Sequence, residues 1–99
     1  MTTTIRVYTN SGFRNVEVDE DKPMFFIVDE RTVDTCDEFQ GQDEECAVAN
    51  AEWEWNDHKT ATERKACLSF AVAKMTVADF VEADECFYWE HATIVKSFK

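Results

Sequence analysis

Five consecutive apolar residues, "MFFIV" from Met24 to Val28, directly follow the chain's single proline, Pro23, and constrain the fold more than any other stretch. The run is far too short to span a bilayer, and its Phe, Ile and Val content suits a buried strand. A buried strand needs partners. Upstream, "TIRVYTNSGFRNVEV" alternates Ile5 and Val7 with Arg6 and Tyr8, then Val16 and Val18 with Asn15 and Glu17, which is the period-two pattern of a hairpin. The link from Asn10 to Gly12 supplies residues that tolerate positive φ at a tight connection. "DEDK" at Asp19 to Lys22 interrupts the pattern before the apolar run. The expectation is three consecutive strands in an antiparallel meander.

Downstream, the Ala-rich "ECAVANA" predicts a short helix near Glu44 to Ala51, while "AEWEW" alternates as a strand does and would place Trp53 and Trp55 on one face, Glu52 and Glu54 on the other. Thr60 followed by Glu63 matches a capping box and predicts the main helix, with Leu68, Ala71, Val72 and Met75 as its apolar stripe and Cys67 and Phe70 alongside. Thr76 and Asp79 in "TVAD" repeat the capping pattern and predict a short second helix to about Ala83. The end, "CFYWEHATIVKSFK", suits one or two strands, with Phe87, Trp89 and His91 on one face and Tyr88, Glu90 and Ala92 on the other. Together these elements predict an α+β domain over residues 1–99: a small antiparallel sheet of about four strands packed on one main helix, with a short second helix. A chain of this length makes one core, and a 44% hydrophobic fraction with thirteen aromatics separates it from disordered compositions.

Charge is distributed unevenly. From Glu17 to Asp57 there are fifteen acids against two bases, a net of −13, whereas the other residues carry six acids and eight bases. Such a block repels nucleic acid and anionic membrane and attracts basic protein surfaces, through a field that salt screens within about 10 Å at roughly 0.1 M. The plainest alternative is a solvated acidic surface that aids solubility. "MTTTIRVYTN" has no apolar stretch behind Arg6, so no secretory signal is read and a cytoplasmic protein is expected.

The acids are densest in "DTCDEFQGQDEEC", Asp34 to Cys46, with six carboxylates and no Lys or Arg. An EF-hand does not fit: with Gly41 at the sixth loop position, Cys36 stands first and Ala47 twelfth, where aspartate and a bidentate glutamate are needed. A looser divalent site among Asp37, Glu38, Asp43 and Glu44 is geometrically open, but acid runs usually point outward. Cys36, Cys46, Cys67 and Cys86 form no C-x-x-C knuckle, and reduced thiols are the default without secretion, although Cys36 and Cys46 flank the acidic loop and could pair. Cys86 and His91 differ by an odd number and would face opposite sides of a strand; His58 has Asp57 beside it but no identifiable nucleophile. Phosphate-loop, nucleophile-elbow and zincin motifs are missing. No catalytic residue, metal or cofactor is assigned.

What remains is a binding signature. Asp34, Asp37, Glu38, Asp43, Glu44, Glu45, Glu52, Glu54 and Asp57 lie in one segment without a base, interleaved with Trp53 and Trp55. Carboxylates at several-ångström spacing imitate part of the phosphate field of DNA, to which a basic groove responds through charge-assisted pairs. One tryptophan is expected in the core and the other partly exposed, where it could anchor a partner.

In its short chain, "DTCDEFQGQDEEC" and "AEWEWND", the sequence resembles the small acidic inhibitors that phages encode against host defence, the anti-CRISPR and anti-restriction proteins. These share no common fold, and the resemblance covers the acidic half of the chain. It implies a non-enzymatic DNA mimic that occupies a basic nucleic-acid-binding protein or complex in the host cytoplasm, as a monomer or homodimer, without binding nucleic acid or membrane itself. Arg6, Arg14, Lys96 and Lys99 confine such mimicry to one face. An immunity protein that neutralises a basic toxin nuclease would use the same surface, and a small metal- or thiol-dependent protein centred on Cys36, Cys46 and the acid loop is the alternative from another class.

Overall fold

The structure, a computed structural model, describes residues 1–9, 11–29, 38–58, 60, 62, 70–84 and 89–98. Strands β1 (Thr2–Thr9) and β2 (Gly12–Asp19) form the expected hairpin, in register from Thr2↔Asp19 to Thr9↔Gly12. Its tip uses glycine for a stated reason: Gly12 sits at φ 96°, in the left-handed region that side chains disfavour. The Thr9 hydroxyl donates to the Gly12 carbonyl (2.8 Å) and accepts from the Ser11 amide (3.2 Å), which closes the turn.

The hairpin does not continue into a meander. Strand β3 (Pro23–Asp29) belongs to a second, four-stranded antiparallel sheet of order β4-β3-β5-β6, with β4 (Glu38–Phe39), β5 (Phe70–Thr76) and β6 (Thr93–Phe98). The physical reason lies in the apolar run itself. Met24 to Val28 are all buried, Met24, Phe26 and Val28 in one core cluster and Phe25 and Ile27 in another. A strand apolar on both faces must be central and covered twice. The hairpin, apolar on one face through Ile5, Val7 and Val18, therefore lies over the sheet and not beside it.

The other central strand is β5, and here the sequence reading is corrected. Ala71, Val72 and Met75 are not the stripe of a long helix; they pair with β3 from Pro23↔Thr76 to Asp29↔Phe70. Five of the seven β5 residues, Phe70 to Ala73 and Met75, are buried. A continuous apolar run of this length satisfies the spacing of a helix stripe and of a doubly covered strand alike, and the demand of β3 for an equally apolar neighbour decides between them. Leu68, Cys67 and Glu63 of the expected helix lie outside the described residues.

The main helix is instead α1 (Glu44–Trp53), which continues into a π-helical turn, Glu54–His58. "AEWEW" is thus helical and not extended, because four alternating residues are too few to override the Ala-rich helix that precedes them. Helix α1 covers the second face of the sheet, where Ala47 and Ala51 are fully buried with Phe25, Ile27, Phe70, Val72 and Phe98. Two alanines one turn apart let the helix approach closely. The predicted cap before the second helix is present: the Thr76 hydroxyl accepts from the Asp79 amide (3.1 Å) at the start of α2 (Val77–Glu82), which buries Val77 and Phe80. Trp89–His91 form a 3₁₀ turn, not part of a strand, and Phe87 and Tyr88 lie outside the described residues. The layers are hairpin, four-stranded sheet and helix, an α+β arrangement.

Gln42 ties the layers together. Its side-chain oxygen accepts from the Asp19 amide (2.9 Å), and its nitrogen donates to the carbonyls of Asp19 (2.8 Å) and Lys22 (3.2 Å), so one amide holds the β2–β3 turn against the segment entering α1. The same segment extends the ladder of β4, with the Gln40 amide donating to Phe25 (2.8 Å) and the Phe25 amide to Gly41 (3.0 Å). Gln42→Ala is expected to remove about 1–2 kcal/mol, read as a fall of roughly 4–15 °C in the midpoint of a thermal melt followed by circular dichroism. Retention of the wild-type midpoint would show that water replaces the amide at this turn.

The sheet ends are guarded against further pairing. Strand β4 is two residues long, and β6 carries a register shift opposite Val72/Ala73 together with Lys96, both of which oppose edge-to-edge addition.

Candidate functional site: an acidic helix face

Helix α1 begins at an Asp cap. The Asp43 carboxylate accepts from the Cys46 amide (3.0 Å), and Glu44 and Glu45 occupy the first turn, where the helix dipole favours negative charge. These three acids therefore have a folding role whatever else they do. The two roles separate by substitution: Asp43→Ala is expected to lower stability by about 1 kcal/mol, whereas Asp43→Asn keeps the cap and stays within a few tenths of a kcal/mol of wild type. Equal melting points for all three proteins would remove the cap from the account.

Beyond the first turn the logic reverses. Glu52, Glu54 and Asp57 stand towards the carboxyl end of the helical segment, where the dipole favours cations, and the last turn of α1 holds no base. The dipole gives no folding reason for an acid at exposed Glu52 or Asp57, whereas half-buried Glu54 makes a contact of its own. Asp43, Glu44, Glu45, Glu52 and Asp57 are exposed, Glu54 and Glu38 half-buried. The N-terminal amine pairs with Asp21 (3.6 Å), which lies in the β2–β3 turn and not on this segment. At 1.5 Å per residue, Asp43 to Asp57 spans about 20 Å, so its six carboxylates average roughly one per 3–4 Å. The acids fall in two groups, Asp43 to Glu45 and Glu52 to Asp57, about 10 Å apart along the axis, so the segment matches the charge count of one DNA strand over that length and not its even spacing.

The two tryptophans separate as helical geometry requires. Two residues apart on a helix point about 200° apart, so the expectation of a shared face is corrected. Trp55 stacks on Phe70 (ring centroids 5.2 Å apart, 27° between planes) and belongs to the core beneath α1. Trp53 is 58% exposed, one turn before Asp57 on the same side of the helix. The expected division was one tryptophan in the core and one partly exposed; the structure has Trp55 half-buried against the core and Trp53 exposed.

The site is thus narrower than its sequence outline. The structure brings Asp43, Glu44, Glu45, Glu52, Trp53, Glu54 and Asp57 onto one helical segment, assigns Trp55 to packing, and places Glu38 in β4 opposite Ile27. Asp34, Asp37 and Cys36 lie outside the described residues, as do Cys67 and Cys86. Cys46 is an exposed free thiol. Among the described residues no three of His, Cys, Asp and Glu converge as metal ligands, and no helix is long and apolar enough to cross a membrane.

A second exposed cluster was not singled out from the sequence. On the outer face of the hairpin, the Arg6 guanidinium lies 4.6 Å from the centre of the Phe13 ring, and Tyr8 meets the same ring edge-on at 5.4 Å. Phe13 is 60% exposed. The signal was available in the alternation itself, which turns Arg6 and Tyr8 outward once Ile5 and Val7 turn in. Pairing across the tip then brings Phe13 opposite Tyr8. Compared with protein-family models, characterised proteins and solved structures, the chain matches none.

Proposed function

We propose that this protein is a non-enzymatic inhibitor of the phage anti-CRISPR or anti-defence kind, acting in the host cytoplasm by laying the acidic face of α1 into the basic nucleic-acid-binding site of a host effector. The observation that supports this reading is the exposed Trp53 set beside Glu52 and Asp57, exposed carboxylates that the helix dipole does not favour, on a segment that holds no lysine or arginine from Glu38 to His58. Carboxylates at an average density near that of one nucleic-acid strand supply steering and charge-assisted pairs to Arg and Lys. An exposed indole supplies the apolar anchor that gives such a contact specificity. Asp34, Asp37 and Glu38 extend the acidic segment, while Arg6 and Arg14 lie on another layer, so the contact is one-faced and the chain binds neither nucleic acid nor membrane directly.

The test is affinity capture with tagged protein from lysates of bacteria that carry defence systems, at low and at high salt, with identification of what is retained. Capture of a nucleic-acid-binding protein at low salt and its loss at high salt is the expected result, because exposed charge pairs are screened. A partner retained at high salt would shift the weight to Trp53, and a partner that is neither basic nor a nucleic-acid binder would overturn the reading.

A further inference from the structure

The exposed indole of the acidic segment discriminates between the two kinds of nucleic acid that carboxylates can imitate. Over the about 20 Å from Asp43 to Asp57, a duplex presents about twelve phosphates in two rows, and its bases are paired and stacked inside. A single strand presents about half as many charges, and its bases are splayed out to stack on aromatic rings and Arg planes of the groove that binds it. The helical segment carries six carboxylates over that length and a flat bicyclic ring at the surface beside them. Trp53 has an interaction of its own within the chain, and the residue is still 58% exposed. Glu52 adjoins it and Asp57 follows one turn later, both exposed. Ala49, one turn before it on the same side of α1, is small and exposed, so the preceding turn offers little bulk to shield the ring.

We infer that this face imitates a short single strand and not a duplex: Glu45, Glu52 and Asp57 stand for phosphates and Trp53 for an unstacked purine. The partner surface is then a basic groove with an aromatic or arginine stacking platform, of the kind that holds single-stranded DNA or RNA. This rests on the proposed function and narrows its partner. A cleft built for a duplex contacts two backbones and the base edges in the grooves, and has no place for a ring that stands out beside the charges. A stacking platform has one, and it is tolerant of which ring arrives, because every base offers a π-face. The uneven placing of the acids, in two groups about 10 Å apart, counts the same way. Phosphates of a duplex stand at regular intervals, whereas a flexible single strand has no fixed spacing to reproduce.

Competition during affinity capture tests the idea. Tagged protein is added at low salt to lysates of bacteria that carry defence systems, together with random-sequence single-stranded DNA, single-stranded RNA or duplex DNA of about 20 nucleotides, longer than one single-strand site. Loss of the captured partner to either single strand, at concentrations where the duplex leaves it bound, is the expected result, and the more effective strand shows which one the groove holds. The duplex carries twice the charge per length, so simple polyanion competition would rank it first. A duplex that competes as well or better overturns the inference and leaves the proposed function standing. A partner retained against all three, or no partner at all, overturns both. Two substitutions then separate a stacked ring from a plain apolar anchor: Trp53→Phe keeps an aromatic face, and Trp53→Leu keeps apolar bulk without one. Both are at an exposed position, and circular dichroism confirms that each variant is folded. Affinity for the purified partner is expected to fall roughly 5- to 150-fold for the leucine variant, the range of one lost base–aromatic stack, and less than about 5-fold for the phenylalanine variant. Equal losses would make Trp53 an anchor without base mimicry and overturn the inference.

Discussion

Phe26→Ala is expected to lower the thermal midpoint by about 15–30 °C, the largest single-residue effect in the molecule. Phe26 is 1% exposed in the central strand β3, stacked on Phe80 of α2 (5.6 Å) and tilted against Phe39 of β4 (5.7 Å). Its cross-strand partner is Ala73, whose small side chain makes room for the ring. Truncation removes the transfer free energy of a phenyl group and leaves a cavity whose walls are strands held on both sides, so collapse is limited and about 3–5 kcal/mol is lost. A domain of this size has roughly 5–15 kcal/mol in all. Phe26→Leu retains most of the volume and is expected to lose under about 1.5 kcal/mol. A fall of less than about 5 °C for the alanine variant would show that the hairpin layer yields and fills the space.

The second large effect concerns association. Reversing Glu45, Glu52 and Asp57 to lysine is expected to slow binding to a basic partner at least ~10-fold at low salt, because steering depends on the local field. The choice of residues matters. Asp43 caps the helix and Glu44 and Glu45 share its first turn, so of these only Glu45 is reversed, and the thermal melt of Glu45→Lys alone separates loss of fold from loss of contact. Asp57, by contrast, opposes the dipole, and its reversal leaves the melting point unchanged or slightly raised. A control triple at Glu17, Glu20 and Glu82, all exposed and off α1, changes net charge by the same amount. Similar slowing by both triples, measured by stopped-flow or surface plasmon resonance, would mean that net charge acts and that no patch exists.

How far these features were legible in the sequence depends on whether a pattern had one structural solution. Alternation in β1 and β2 has one, and so does Thr76 ahead of Asp79, whose cap is present as expected. Met24 to Val28 could be recognised as buried, but its neighbours could not, because pairing with β5 joins residues 41 to 53 positions apart, from Asp29↔Phe70 to Pro23↔Thr76. Phe70 to Met75 fitted two periods, and only a tertiary demand chose between them. At the site, the carboxylates were visible as composition. Which of them stabilise the helix and which oppose it required knowing where α1 starts and ends, and the separation of Trp53 from Trp55 followed only once that stretch was known to be helical. The Arg6–Phe13 contact was readable from hairpin register, because alternation puts Arg6 and Tyr8 on one face and pairing sets Phe13 opposite Tyr8.

The long-range pairing of β3 has a consequence for the chain before it is folded. Closing a loop of some forty residues is slower than forming the hairpin, so Met24 to Val28 spends an interval without its partner strand. In that interval "MFFIV" is the kind of short, uncharged, β-prone segment that seeds intermolecular stacking. It is bounded by Asp19, Glu20 and Asp21 on one side and by Asp29 and Glu30 on the other. Carboxylates in those positions act as gatekeepers: two nascent chains that approach through this strand bring five negative charges each into register. Part of the acidity of this protein is thereby committed to its own biogenesis, and substitution of Asp19, Glu20 and Asp21 by uncharged residues would be felt in the yield of soluble protein before it was felt in the stability of the folded state.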